Sequence, residues 1–220
     1  ALYGAAQLLQ TWGLASTPAS VSGFVTGMYV VITPLLTTAL FGQRLPGSTW
    51  LAALLATLGL ALLALHGLAV DRGVGLTLVA AALYALHIVA LSRWSRPGET
   101  FAMSTVQMLA IAAVCLLATL PRGPVLPPGG GAWIVVLYLA LAASAGAMLA
   151  QTWAQAHLSA TRAAIVMTLE PVFAAAFAVA FGGESPTWRM LAGGALVLAA
   201  MYLVELAPGK PNDEALHHEV

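Results

Sequence analysis

Charge is scarce in this chain: Asp, Glu, Lys and Arg make up 7% of its 220 residues, where roughly 25% is usual for soluble domains. Lys+Arg 8 balance Asp+Glu 8, so no field exists to gather nucleic acid or an acidic partner, and nucleic-acid binding is excluded on that ground. There is one cysteine, Cys115, set inside an apolar run, which excludes an intrachain disulfide and a cysteine-based zinc cluster. Histidines are few and scattered: His66, His87 and His157 are far apart, and His217 and His218 sit in a polar tail, so no metal-ligand spacing appears. Ser144 and Ser159 have no base and acid set nearby in sequence, and an intramembrane enzyme would need a nucleophile or metal cluster at one depth. The expectation is therefore a protein that is not an enzyme and carries no metal or cofactor.

Apolar residues fill the gap, at 60% of the chain. A soluble globule of this length would expose roughly 9,500 Å², leaving its few charges about one per 600 Å² of surface, which water does not tolerate. A helix needs roughly 20 mostly apolar residues to cross about 30 Å of hydrocarbon. Eight such runs are expected, near 2–15, 20–41, 49–66, 73–92, 101–120, 132–156, 161–182 and 187–206. The short segments between them hold nearly all the charge, as a bilayer demands. Trp50, Trp94, Trp133, Trp188 and Tyr202 fall near the ends of these runs, where amphipathic rings favour the headgroup region. A soluble helical bundle would need polar helix faces that are absent. The fold class is thus an all-α polytopic membrane protein with eight transmembrane helices.

Eight crossings put both ends on one side of the membrane. Arg44, Arg93, Arg96, Arg162 and Lys210 then share the side of the C-terminal tail, and Arg72, Arg122 and Arg189 lie opposite, which favours a cytoplasmic C-terminus. The tail, 207–220, is polar and expected to be disordered. No basic leader precedes the first run, so a cleavable signal peptide is not expected. That run is short for a span, and the chain is expected to start at a truncation edge.

A repeat runs through the sequence. Gln10-Thr11-Trp12 recurs as Gln151-Thr152-Trp153; a proline follows each copy inside the next run, Pro34 and Pro171; Thr49-Trp50 and Thr187-Trp188 come after. The intervals from Gln to Pro are 24 and 20 residues, a difference of about one helical turn. The period is five runs. An odd period makes consecutive copies cross in opposite directions, the inverted-repeat plan of secondary transporters with a site at mid-membrane. Residues 1–66 would be the last three helices of a first copy and 67–206 a complete second copy, with two leading helices missing. Without that pair, one wall of the cavity is incomplete and a homodimer would have to complete it.

With Gly13-Leu14, Thr17, Ala19 and the run Gly23 to Pro34 in the first half, and Ser159 to Ala164, Leu169-Glu170-Pro171-Val172-Phe173 and Gly183-Glu184 in the second, the chain resembles the EamA-like branch of the drug/metabolite transporter superfamily. The resemblance implies ten helices as two inverted five-helix repeats, of which this chain is an N-terminally truncated version. It implies export of small metabolites such as amino acids or related solutes, and a bacterial inner membrane. The first half reads Gly42-Gln43 where the family has Gly-Glu, which puts an acid's role there in question.

Few side chains at depth could carry function. Glu170 sits mid-run, where an ionised carboxylate is costly unless it faces a cavity or a partner. It reads either as a substrate contact and proton carrier, or as a protonated acid that shapes a helix broken at Pro171, which frees the carbonyl of Met167. Tyr84 and His87, three residues apart, share a helix face, and His87 is too deep to reach the interface comfortably; similar family members often carry histidine there. Gln7 and Gln10 are one turn apart, as are Gln151 and Gln155, and these amides could face each other across the axis or act as interhelical glue. Gln107 is similarly ambiguous. Tyr29, Trp12 and Trp153 could wall a cavity, although such rings more often pack or sit in the belt. The expected substrate site is His87, Tyr84, Gln10, Gln151, Gln107, Tyr29 and Trp153, with proton coupling at Glu170 and His87 and helix breaks at Pro34 and Pro171. Gly23, Gly27, Gly59, Gly146, Gly193 and Gly194 read as close helix contacts. A membrane scaffold or sensor that keeps the architecture without transport is the competing reading; its mark would be the absence of an enclosed polar cavity.

Overall fold

The computed structural model describes residues 1–42, 47–66, 69–94, 96, 98–121, 123, 125–157, 167 and 169–206. The expected tail, Gln43, Arg44, Arg122, Arg162 and the 158–166 segment fall outside them. Helices occupy the predicted runs: α1 (Leu2–Leu14), α2 (Ala19–Gly27), α3 (Tyr29–Phe41), α4 (Gly47–Ala64), α5 (Arg72–Trp94), α6 (Thr100–Thr119), α7 (Gly130–Tyr138), α8 (Ala147–His157), α9 (Glu170–Ala180) and α10 (Trp188–Glu205). A π-helical segment, Leu139–Gly146, joins α7 to α8. One small departure lies between α4 and α5, where the predicted run continued as helix to 66. There β1 (Leu65–His66) pairs antiparallel with β2 (Ala69–Val70), Leu65 opposite Val70.

Helix ends follow local chemistry. The Asp71 side chain accepts from the Gly73 N–H at 2.7 Å and so caps α5. Thr187 caps α10 by accepting from the Met190 N–H at 3.1 Å. The most distant cap is Glu184, beyond α9, whose carboxylate accepts from the Ala19 N–H at 2.6 Å and from the Ser20 hydroxyl at the start of α2. An anion there satisfies otherwise orphaned N–H groups and meets the positive end of the helix dipole. Gly42 and Gly183, which follow α3 and α9, both have positive φ, 67° and 71°, a conformation that favours glycine.

Packing is set by small residues. Ala52, Ala56 and Leu63 on α4 and Met190, Val197 and Met201 on α10 are buried along one seam, and Gly59 and Gly193 lie at its centre. A Cβ on Gly59 would stand 2.7 Å from the Gly193 carbonyl oxygen, and one on Gly193 would stand 2.9 Å from the Gly59 carbonyl. The two backbones are therefore nearly in contact, as small residues allow between membrane helices. Gly194 makes room for the Phe24 ring, and Gly23 and Gly27 approach Ala174 and Pro171; Gly146 meets only the Leu141 carbonyl of its own segment. α1 packs on α5, and α2 on α9.

The outside is apolar. Phe101, Val106, Leu109, Leu116, Ile134, Leu137 and Leu141 are all exposed, far more contiguous apolar surface than a soluble monomer presents. Four helical stretches among the described residues are long and apolar enough to cross a membrane: Ala19–Phe41, Arg72–Leu91, Thr100–Thr119 and Gly130–Ala154. The first two have 44% of their apolar window buried and the last two 6%, so α6 and α7 form the lipid-facing margin. Trp50, Trp94, Trp133, Trp188 and Tyr202 are exposed at helix ends, in keeping with an aromatic belt. The molecule is an all-helical, multi-pass membrane protein apart from the short hairpin.

Glu184→Ala should destabilise the protein by about 1–2 kcal/mol, the usual cost of a lost N-terminal cap, read as a lower thermal midpoint in detergent. Glu184→Gln should recover part of the loss.

Candidate functional site

The aromatic and amide side chains at depth converge because they recur at helical spacing. Tyr3, Gln7 and Gln10 lie at i, i+4 and i+7 on α1, one face of a helix, and that face meets α5. There the Tyr84 hydroxyl lies 3.0 Å from Gln7 Oε1 and 2.9 Å from Gln10 Oε1; with one proton, it donates to one amide oxygen at a time. Gln10 turns its Nε2 to donate to Thr26 Oγ1 on α2 at 2.7 Å. The Tyr3 ring stands edge-on to Tyr84 at 4.9 Å and to His87 at 5.3 Å between centroids, a geometry that aromatic quadrupoles favour.

On the other side the Tyr29 hydroxyl, at the start of α3, donates to Glu170 Oε2 at the start of α9 at 3.0 Å. Pro171 lies in the first turn of α9, where its missing N–H costs nothing. Met167 is helical and Leu169 is in a turn, so the chain is interrupted at the Glu-Pro pair. The counterpart is different. Pro34 stays inside α3, and the regular helix is interrupted at Met28, where Met28 N–H bonds to the Val25 carbonyl at 3.2 Å. The expected break at Pro34 is thus moved six residues earlier, next to Gly27, whose lack of a side chain lets the turn tighten against Pro171 and Met201.

These groups line a cavity of about 160 Å³ bounded by Tyr3, Gln10, Tyr29, Tyr84, His87 and Glu170, with Gln7, Thr26, Ile88, Gln151 and Met167. Of the residues expected from sequence, Gln10, Gln151, Tyr29, Tyr84, His87 and Glu170 come together here. Gln107 and Trp153 do not line it. Gln107, on α6, donates to Thr152 Oγ1 at 3.2 Å, and Thr152 in turn donates to the Met148 carbonyl at 2.8 Å. Trp153 is 52% exposed and stacks on His157; Trp12, its counterpart, is 57% exposed. Both indoles face outward because each lies two residues past a cavity-facing glutamine, on the far side of its helix. His87 Nε2, Gln107 Oε1 and Ser104 Oγ are buried without a hydrogen-bond partner, a polar shelf behind the cavity. Tyr3, Thr26 and Met167 were not anticipated; the i, i+4, i+7 spacing with Gln7 and Gln10 was the signal that would have found Tyr3. Among the described residues no three His, Cys, Asp or Glu side chains converge to hold a metal.

Residues 71–206 match the model of the EamA-like transporter family. Among curated proteins, an uncharacterized transporter of Archaeoglobus fulgidus is 27% identical over 197 residues, which cover 90% of this chain and 64% of that protein. The chain therefore spans less than two thirds of that relative's length. Among solved structures, the crystal structure of a protein superposes with a TM-score of 0.63 at 21% identity, over 92% of this chain and 72% of the other, a likeness of fold.

In a Cys115→Ala background, a charged, membrane-impermeant thiol reagent should modify Gln151→Cys and leave Trp153→Cys largely unmodified, because only the former opens on a wet cavity. Equal labelling of the two would remove Gln151 from the site.

Proposed function

Because the chain belongs to the EamA-like transporter family, we propose that it is a secondary transporter of small metabolites, such as amino acids or related solutes, working by alternating access as an exporter. Its setting on this reading is a bacterial inner membrane crossed eight times, with the C-terminus in the cytoplasm. The observation that carries the reading is the cavity joined across the two sequence halves, Tyr29 from the first bonded to Glu170 from the second at 3.0 Å. A membrane scaffold has no need of buried carboxylate, amide and phenol groups around open space, each of which is costly at depth.

Several correspondences support an inverted repeat with 1–66 and 67–206 as its parts. Gln10 and Gln151 both line the cavity. Thr11 and Thr152 both donate back to the carbonyl four residues earlier, at 2.7 and 2.8 Å. Trp12 and Trp153 both face outward, and the two proline helices both end in a glycine of positive φ. Counterpart helices also pair with each other, α4 with α10 and α2 with α9, as a pseudo-two-fold axis through the centre of the bundle would require. If the family's two leading helices are not part of the native protein, a homodimer is the arrangement that completes the wall.

Glu170 is the proposed proton carrier, with His87 across the cavity as its partner in relay. An acid that binds a proton when open to one side and releases it to the other couples solute movement to a pH gradient. In reconstituted vesicles, Glu170→Gln should lower pH-gradient-driven flux at least about tenfold, the scale of one lost charge-assisted interaction, and leave solute exchange without a gradient measurable. Unchanged coupling would eliminate the carrier role, and binding without flux across a metabolite panel would favour the scaffold.

A further inference from the structure

We infer that the cavity selects its solute by one positive charge: it takes a small ammonium-bearing molecule and turns away carboxylates. The inference rests on the transport reading for its purpose and on the lining alone for its chemistry. That lining holds one carboxyl group, Glu170, and neither lysine nor arginine. A zwitterion or an organic acid brought to this depth would leave its carboxylate without a fixed cation, which is costly away from water.

The hydrogen-bonding inventory points the same way. The Tyr84 proton is already given to an amide oxygen of Gln7 or Gln10, the Tyr29 proton to Glu170, and one N–H of Gln10 to Thr26. The hydroxyl donors of this wall are thus engaged inside the protein, and what faces the open space is richer in acceptors. A carboxylate offers about four lone-pair sites, of which Tyr29 takes one on Oε2. The amide oxygens and phenol oxygens supply more. An ammonium group has three donors and no acceptor, the complement of such a surface. The rings of Tyr3 and Tyr84, held edge to face at 4.9 Å, add π-faces that attract a cation. A cavity of about 160 Å³ has room for an amine of a few heavy atoms. His87 is the one lining side chain able to carry positive charge, and above about pH 8 it is neutral.

The test is an isosteric series, propylamine, propanol, propionate and 3-aminopropionate, titrated at about pH 8 into the purified full-length protein in detergent, with binding read by calorimetry and by the rise in thermal midpoint. Propylamine should bind at least about tenfold more tightly than each of the others, and Glu170→Gln should remove about tenfold or more of that affinity. Binding of propionate or 3-aminopropionate equal to that of the amine, or an absence of amine binding, overturns the assignment. Should Glu170→Gln not fold, the series on the unaltered protein decides by itself. The two readings separate in vesicles. Flux of a neutral or zwitterionic solute that propylamine does not inhibit leaves transport standing and sinks the charge selection. Amine binding without flux of any solute does the reverse.

Discussion

In hydrocarbon, every polar side chain carried to depth must find a partner within the protein or open on trapped water. That constraint organises this molecule. With so little charge in the chain, the few polar groups placed at depth are drawn to one another, and their bonds fix where the helices meet. Tyr84 ties α5 to α1, Gln10 ties α1 to α2, and Tyr29 ties α3 to α9. Each tie is a single interaction worth only about 1 kcal/mol on average in membrane helices. Their importance is directional: apolar contacts alone would let helices rotate against lipid at little cost, and the polar ties choose one rotation.

Around that polar centre the structure uses opposite means on its two sides. The α4–α10 seam brings backbones together through Gly59 and Gly193, a contact of fixed separation with little room to slide. Toward α6 and α7 the helices keep mostly lipid-facing surfaces, tied inward through Gln107 and Thr152. A tight seam beside a loosely held margin provides what rocking between two half-bundles needs: one element that moves as a unit and another that can be displaced.

Much of this could be read from the sequence because the bilayer imposes a coarse rule. The apolar runs, their punctuation and the belt residues were legible from length and hydropathy alone, and the helices fall where those predicted. Tyr84, His87, Gln10, Gln151 and Glu170 stood out because an expensive residue at depth needs a reason. What failed was phase. Trp153 and Gln107 were grouped with the site by depth, but depth does not say which way a side chain turns; that depends on helix rotation, set by neighbours far along the chain. The interruption at Met28 was missed for a related reason, since Pro34 is the louder local signal and the turn is instead allowed by a glycine packed on another helix. Glu184 was noted only as a family feature, and its service to the first turn of α2, 165 positions away, could not be seen from one sequence.

The wide-turned stretch Leu139–Gly146 sets the angle at which everything after it emerges. A π-helical turn winds more slowly than an α-helical one, so the eight residues between α7 and α8 rotate the later helix by an amount that ordinary winding would not give. That rotation is part of what turns Gln151 inward and Trp153 to the lipid. The azimuth of α8 is thereby encoded in a residue count, and losing one position there would re-aim a whole helix without altering any side chain at the centre.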